Sequence, residues 1–185
     1  MADGPVEQSH PRLSNLLAAL ALGLVDDGVA AMEEATGLSA TGVAALISLS
    51  EFLDGANVGR LSAVLGLSHS GAVRLAGQLE ARGLVRRQHG RDRRQVNIEL
   101  TPEGRRLAGL AATARTEVVT YAVSALAEED RRTLERLLST VTESRVSERM
   151  RRRVEESWTG AWWCRMCDFE ACGRAEGRCP AAPSD

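Results

Sequence analysis

The cysteines of this chain are confined to its C-terminal end. The sequence of 185 residues has four of them, with the spacing C-x2-C-x4-C-x6-C: Cys164, Cys167, Cys172 and Cys179. Cysteine thiolates are metal ligands, and a C-x2-C pair places two sulfurs on one tight turn facing a common centre. Gly173 and Gly177 allow the intervening chain to turn sharply. The spacing predicts a four-cysteine metal site in residues 158–185, called the tail below.

Several kinds of chemistry suit four clustered thiols. Zn²⁺ at a closed structural site is the first interpretation, and an iron–sulfur cluster is the alternative. A reversible disulfide and idle thiols are the remaining readings, although the clustering argues against idle thiols. A catalytic metal is disfavoured, because four thiolates saturate a tetrahedral ion and leave no open position. Trp158, Trp162 and Trp163 precede the cysteines, and we expect them to bury the junction between the tail and the helices before it.

Arginines form a second group with a chemical role. The segment LVRRQHGRDRRQVNIEL reads as strand, turn and strand, because apolar and polar residues alternate from Val96 to Leu100. The turn and the strand before it carry a charged set: Arg86, Arg91, Asp92, Arg93 and Arg94. An arginine-rich hairpin tip is suited to the DNA minor groove, where narrow A·T stretches concentrate negative potential. A solvated charged hairpin is the plainer alternative.

The residues before this hairpin read as two short helices. Asn57 caps the first helix, Gly66 ends it, and Ser68 caps the second, which runs towards Gly83. Two short helices joined by a glycine-containing turn have the layout of a helix-turn-helix. The second helix buries an apolar stripe and leaves small and polar residues outward: Ser70, Arg74, Gln78 and Ala81, with His69 in the first turn. Such a face suits the major groove of DNA, and an ordinary helical hairpin is the alternative.

Long helices flank this region on both sides. Leucines at helical spacing predict a helix near 12–35, and TPEG opens another at Thr101, with the acidic run from Glu128 opening a third. Single apolar stripes of this length need a partner surface, which a second copy supplies. The predicted organisation is as follows: a flexible N-terminus (1–11), a dimerisation helix (12–37), a winged helix-turn-helix domain (38–101), C-terminal dimerisation helices (102–157) and the four-cysteine tail (158–185).

Bulk composition places the chain among water-soluble globular proteins. The apolar fraction is 44%, the charged fraction 26% and the net charge −2. The N-terminal residues lack the pattern of a signal peptide. The longest apolar run, Leu16–Val25, is shorter than the ~20 residues of a membrane-spanning helix. We therefore expect a cytoplasmic protein with no membrane contact.

These segments together resemble the MarR family of bacterial winged helix-turn-helix regulators. The resemblance rests on VGRLSAVLGLSHSGAVRLAGQLEARGLVRR, on the wing GRDRRQVNIEL and on TPEG at the head of a long helix, and it covers about residues 38–145. It implies a mainly α fold with a small β-wing, flanked by dimerisation helices. It also implies a homodimeric regulator, usually a repressor, that binds near-palindromic promoter DNA and is released by a small-molecule or redox effector.

The resemblance assigns roles to individual residues. Ser68 and Ser70 would contact the DNA backbone or base edges, and His69 and Arg74 base edges. Arg94 would read the DNA from the wing tip, and Asp92 would hold its side chain in position. Arg91 and Arg93 would contact phosphates. The resemblance implies no enzymatic activity. Two other function classes are a thiol- or metal-dependent redox enzyme and a winged-helix module that binds protein.

Overall fold

The structure is a computed structural model that describes residues 10–89, 96–155 and 160–182. Helices dominate the described chain, with three short strands and one 3₁₀ turn. The elements in chain order are α1 (Pro11–Thr36), α2 (Ala40–Glu51), β1 (Ala56–Asn57), α3 (Val58–Leu65), α4 (His69–Ala81), β2 (Val85–His89), β3 (Val96–Leu100), α5 (Pro102–Ala122), α6 (Glu128–Glu155) and the 3₁₀ turn (Trp163–Met166). This is the mainly α fold with a small β-wing that the sequence predicted.

Polar side chains cap the helices of the winged region, as the sequence predicted. The Asn57 side chain accepts a hydrogen bond from the backbone N–H of Arg60, and the Thr101 hydroxyl accepts one from Gly104. Gly66 ends α3 in the left-handed region, with φ +67°. Each cap satisfies a backbone donor that the helix leaves unpaired, and each fixes where the next helix begins. The short turn between α3 and α4 follows from these local signals.

The three strands form one antiparallel sheet in the order β1–β3–β2. Val85 pairs with Leu100 and His89 pairs with Val96, so β2 and β3 make the hairpin that the sequence predicted. The side chains of Ile98 and Leu100 are buried. The two-residue strand β1 was not predicted, and it adds an edge by pairing Ala56 with Ile98. The wing tip, residues 90–95, lies outside the described residues.

The core lies around α2, which is buried along most of its length. Apolar side chains of α2 pack against those of the neighbouring elements. The largest fully buried apolar side chains are Met32, Val43, Leu46, Leu49, Leu61, Val64, Leu79 and Ile98. α5 packs along both α1 and α2 and thereby joins the winged region to the long helices. Ser48 is the one polar residue among the largest fully buried side chains in the described part of the chain.

Helix α5 ends earlier than the sequence predicts. The spacing of apolar residues after Thr101 predicts one helical face that continues through Leu126: Leu107, Leu110, Ala114, Val118, Ala122 and Leu126. In the structure α5 ends at Ala122, and a turn leads into α6. Of the described helices, only α1 is long and apolar enough to cross a membrane, and it lies near the N-terminus. The unbroken apolar run Leu16–Val25 is shorter than this helix. α1 packs along α5 and leaves most of its leucines exposed.

Gly104 provides a test of how closely α5 approaches the backbone of Leu84, the residue before β2. A Cβ added at Gly104 would overlap the backbone carbonyl oxygen of Leu84, whereas one added at Gly109 of the same helix meets nothing within 4 Å. We expect Gly104→Ala to lower the free energy of unfolding by about 1–3 kcal/mol, as overpacking does. Gly109→Ala should be neutral or stabilise by up to about 1 kcal/mol, because alanine favours the helix.

Thermal melts followed by far-UV circular dichroism, at equal protein concentration, measure both substitutions. A Gly104→Ala protein with the same melting temperature as Gly109→Ala would contradict the close approach of α5 to the backbone of Leu84.

Candidate DNA-reading surface and the cysteine tail

The N-terminus of α4 is organised by two serines. The Ser68 hydroxyl accepts a hydrogen bond from the backbone N–H of Gly71 at 3.1 Å, and it lies 3.2 Å from the Ser70 hydroxyl. Both residues and His69 are exposed. Ser68 therefore serves first as a helix cap, and the Ser70 hydroxyl and the His69 ring are presented to solvent beside it.

The outer face of α4 is open along its length. Its inward residues are buried, as predicted: Ala72, Leu75, Ala76 and Leu79. Its outward residues are exposed, also as predicted: Ser70, Arg74, Gln78 and Ala81. Among the described residues, the Arg74 guanidinium has no ion pair or hydrogen-bond partner. Val73 beside it is also exposed, so this face offers one unengaged arginine and one apolar side chain. Both kinds of side chain contact base edges in a major groove.

The base of the wing is held by ion pairs. The Arg86 guanidinium lies 2.8 Å from the Glu99 carboxylate on the paired strand, and that of Arg87 lies 3.3 Å from Glu80 of α4. Arg86, a predicted DNA contact, is thus engaged by a neighbouring carboxylate in this structure, although its side chain is 62% exposed. Arg87 fixes the wing to α4. The predicted tip residues lie outside the described residues: Arg91, Asp92, Arg93 and Arg94.

Large apolar side chains lie exposed on the flanking helices. On α1 they are Leu13, Leu16, Leu17, Leu20, Leu22 and Val25, and on α6 they are Leu137, Leu138, Val141 and Met150. Leu20 is 55% exposed and Leu138 is 48% exposed. Surfaces with this many uncovered leucines mark sites of association rather than ordinary solvent-facing helices.

Three hydrogen bonds join the backbone of the tail to the winged region. The backbone N–H of Trp162 donates to the carbonyl oxygen of Val64 at 2.8 Å, and the buried Ser48 hydroxyl donates to the carbonyl oxygen of Arg165 at 2.8 Å. The backbone N–H of Phe169 donates to the Glu51 carboxylate at 3.0 Å. We call the surface formed by Ser48, Glu51, Phe52 and Val64 the docking face.

Aromatic stacking completes this contact. The Phe52 ring is stacked with Phe169 at a centroid distance of 4.9 Å and with Trp162 at 6.1 Å. The Arg60 guanidinium lies 5.2 Å from the centre of the Trp162 ring. The prediction that the tryptophans bury the junction against the dimerisation helices is therefore wrong for Trp162, because its ring packs on the winged region. Nothing in the sequence, which has few aromatic residues, indicated that Phe52 would contact Trp162.

Contacts on the other side join the tail to the long helices. The Arg149 guanidinium of α6 donates to the carbonyl oxygen of Ala161 at 2.6 Å and lies 5.0 Å from the centre of the Trp163 ring. The Arg115 guanidinium of α5 donates to the carbonyl oxygen of Met166 at 3.1 Å. Trp163 thus contacts α6, but it stays 39% exposed, so the predicted burial is not found for this residue. The tail spans from the winged region to both C-terminal helices.

The four cysteines lie in one neighbourhood as two pairs. Cys164 and Cys167 are neighbours whose thiols influence each other, and so are Cys172 and Cys179. The Arg174 guanidinium lies 3.8 Å from the Cys179 sulfur. Among the described residues, no three side chains of cysteine, histidine, aspartate or glutamate converge closely enough to hold a metal ion. A metal at these thiols would require the two pairs to move together.

The thiols have unequal acidity. The hydrogen bond from Cys167, aided by the Arg174 charge, lowers the pKa of Cys164 to about 6. Donating that same hydrogen bond, together with burial, raises the pKa of Cys167. Burial and the neighbouring Cys179 raise the pKa of Cys172 to about 11. Cys164 is therefore a thiolate at neutral pH, the form that binds metal and reacts with electrophiles.

A family model matches the part of the chain that contains the helix-turn-helix. The model, described as MarR family, covers residues 36–95. These residues include α2, β1, α3, α4 and β2. None of the curated proteins matches this chain.

Solved structures share the fold over most of their own length. A MarR family protein from Bacillus stearothermophilus is 26% identical with a TM-score of 0.66, over 76% of this chain and 98% of that one. CouR from Rhodococcus jostii RHA1, solved with p-coumaroyl-CoA, is 26% identical with a TM-score of 0.55, over 73% and 94%. A MarR family transcriptional regulator from Rhodococcus sp. RHA1 is 25% identical with a TM-score of 0.56, over 73% and 95%. About a quarter of this chain lies outside each match.

The acidity of Cys164 is testable in the reduced, metal-free protein. Iodoacetamide reacts with thiolates, so the alkylation rate of Cys164 should rise with a midpoint near pH 6 and level off above it. Cys172 should react only at alkaline pH. Peptide mass mapping after timed alkylation across pH 5–9 measures both residues.

The protein unfolded in urea is the control, because all four thiols should then react alike. A Cys164 midpoint in the native protein near the ordinary thiol value of about 8.5 would contradict the hydrogen-bonded pairing.

Proposed function

We propose that this chain is a winged helix-turn-helix regulator of the MarR family, and that it binds near-palindromic promoter sites as a homodimeric repressor. A regulatory rather than an enzymatic role is supported by the MarR family model that matches residues 36–95 and by the likeness to a solved MarR family transcriptional regulator. We further propose that it works in the cytoplasm and that each tail holds a metal.

The exposure of the outer face of α4 is the observation on which the proposed DNA binding depends. Its residues are exposed while its inner stripe is buried, and the Arg74 guanidinium has no partner in the described structure. Arginine suits guanine O6 and N7 in the major groove. The sequence places further arginines at the wing tip, directly beyond β2, where they would add minor-groove and phosphate contacts. The net charge of −2 does not oppose this, because binding depends on local rather than total charge.

The apolar surfaces of α1 and α6 support a homodimer. Their exposed leucines need cover, and a second copy brings the same surfaces to a two-fold axis. A dimer of this kind carries two α4 helices, which suits an inverted repeat with one half-site for each. A membrane partner for α1 is less well supported, since only one described helix has the required length and composition.

The tail supports a metal module, with Zn²⁺ as the proposed ion and an iron–sulfur cluster as the alternative. The proposed ligands are Cys164, Cys167, Cys172 and Cys179. One thiolate forms readily at neutral pH, and the other thiols lie in two adjacent pairs. Gly173 and Gly177 have φ of +63° and +70°, so the loop between the last two cysteines turns tightly. A bound dication would replace thiol protons and draw the pairs together.

The last part of the proposal concerns the signal that releases the protein from DNA. CouR was solved with p-coumaroyl-CoA, which is a bulky ligand with a phenolic group. This chain has two phenylalanines, three tryptophans and one tyrosine, and the stacked Phe52, Trp162 and Phe169 are used by the tail contact. We therefore propose that a small-molecule or redox effector acts on this protein, with the tail as the redox-sensitive part.

Arg94→Ala tests the wing. A duplex selected by the full-length protein from a random-sequence library is the probe, and fluorescence anisotropy measures binding. We expect affinity to fall by roughly 1–3 kcal/mol because a minor-groove arginine is lost. Arg74→Ala should cost a similar amount and relax the choice of base at one position in each half-site.

Arg132→Ala is the matched control, because this α6 guanidinium pairs with Glu128 and its side chain is 73% exposed. It removes the same charge without touching the winged region. Equal affinities for Arg94→Ala and Arg132→Ala would show that the wing tip does not read DNA.

Metal analysis tests the tail. Protein purified without oxygen should be colourless and contain one zinc per chain, and Cys172→Ser should reduce that content, because three thiolates hold zinc less tightly than four. Iron and sulfide in a brown protein would establish the cluster instead. Absence of both metals, with disulfides found after exposure to air, would contradict the metal module.

A further inference from the structure

Arg60, in the first turn of α3, carries a charge that no described acidic group neutralises. Most described arginines of the winged region are engaged by carboxylates or by a backbone carbonyl oxygen: Arg82, Arg86 and Arg87. Among the described arginines of this region, only Arg60 and Arg74 have a guanidinium group without an ion pair or a hydrogen bond. The proposed DNA-reading surface already contains Arg74, whereas Arg60 has no function in it.

The tail places an aromatic ring against this arginine. The Arg60 guanidinium lies 5.2 Å from the centre of the Trp162 ring, which is within the range of a cation–π contact. The backbone N–H of Trp162 donates to the carbonyl oxygen of Val64 at 2.8 Å. Val64 follows Arg60 by about one helical turn, so the two residues lie on the same side of α3. The tail therefore binds α3 at one residue and sets its ring beside the arginine one turn earlier.

Two further contacts hold Trp162 in place. Its ring is stacked with that of Phe52, with the centroids 6.1 Å apart and the ring planes 10° from parallel. The residue before it lies against the turn of the helix-turn-helix, because a Cβ added at Gly66 would come within 2.8 Å of the backbone nitrogen of Ala161. Turning the Trp162 ring away from Arg60 would break the stack on Phe52.

An aromatic ring and a carboxylate leave an arginine in different states. A carboxylate cancels the charge and accepts the N–H groups, as Glu99 does for Arg86. An aromatic ring attracts the charge without cancelling it, and it leaves the N–H groups of the guanidinium available to a stronger acceptor. Arg60 therefore keeps its charge and its donors while its side chain is restrained. A phosphate group binds an arginine through these same properties.

We propose that Arg60 is a phosphate contact of the DNA complex and that Trp162 of the tail is its positioning residue. This inference rests on the proposed function, because it adds a contact to that same complex. In helix-turn-helix proteins the first helix crosses the sugar–phosphate backbone, while the second enters the major groove. α3 is the first helix here, and Arg60 is exposed on it. The contact supplies salt-dependent affinity and no choice of base.

The ordering of the side chain explains why a ring of the tail strengthens such a contact. A freely rotating arginine loses rotamer freedom when it binds a phosphate, and this loss weakens the complex. With the Trp162 ring in place, Arg60 is ordered before DNA arrives. None of the groups that hold the ring is a cysteine, since they belong to Val64, Phe52 and Ala161. The positioning therefore does not depend on what the four thiols bind.

Salt titrations of duplex binding test the phosphate contact in the full-length protein. Fluorescence anisotropy measures affinity for the selected duplex over a series of salt concentrations. Arg60→Ala should bind about tenfold more weakly at low salt, and the slope of log affinity against log salt should fall by about one for each chain bound. The loss should be equal on duplexes with single base-pair changes. Arg132→Ala, the α6 control, should leave affinity and slope unchanged.

A double variant tests the positioning. Trp162→Leu removes the ring and keeps Arg60, so affinity should fall by about threefold. The double variant, Trp162→Leu with Arg60→Ala, should bind no more weakly than Arg60→Ala alone, because both changes remove one contact. Trp162→Phe keeps a ring and should bind nearly as the parent does. Trp163→Leu is the matched control, since this neighbouring ring lies against Arg149 of α6 instead.

Three results would overturn this inference. The first is an Arg60→Ala protein whose affinity and salt slope match those of Arg132→Ala. The second is a double variant whose loss equals the sum of the two single losses, since Trp162 would then act by another route. The third is a Trp163→Leu protein that loses as much affinity as Trp162→Leu. A parent protein that binds no selected duplex at all would instead contradict the proposed function, so the two failures are distinguishable.

Discussion

The burial of apolar surface is the constraint on which this structure depends. The winged region satisfies it within one chain, because α2 is enclosed by its neighbours and side chains such as Leu46 and Leu49 are fully buried. The long helices do not satisfy it, since leucines along α1 and α6 remain exposed. The same chain therefore combines a closed domain with an open association surface. In the homodimer that we propose, the long helices of two chains would cover each other's leucines, and each chain would contribute one winged region.

The tail uses a different physical means to stay folded. It contributes little to a core, and its position depends on a buried hydroxyl, a carboxylate and one stack of aromatic rings on Phe52. Contacts of this kind are directional, so they hold only while the tail keeps one shape. The metal that we propose for the four cysteines would fix such a shape in a short segment without a core.

The local signals of the sequence were sufficient for most of the fold. Caps such as Asn57 and Thr101 predicted where helices begin, and the left-handed Gly66 predicted where α3 ends. Strand β1 was not predictable, because two residues carry no periodic pattern and form a strand only by pairing with β3. The end of α5 at Ala122 was missed for a related reason, since its apolar spacing continues past the turn.

The contacts of the tail were beyond reach of the sequence. Ser48 reads as an ordinary small residue in an apolar helix, and its partner Arg165 is separated from it by 117 positions. Phe52 reads as the end of α2, and nothing in its surroundings indicates two aromatic neighbours. Long-range contacts of single residues leave no periodic trace, whereas the four cysteines were conspicuous by composition alone. The four cysteines were therefore predicted as a group, whereas the docking face that contacts the tail was found only in the structure.

Sedimentation velocity of the full-length chain, alone and mixed with a selected duplex of one inverted repeat at low ionic strength, tests the central claim most directly. The account predicts a particle of two chains in the absence of DNA and a complex of two chains on each duplex. A single chain that stays single at micromolar concentration and does not associate with the duplex would contradict it.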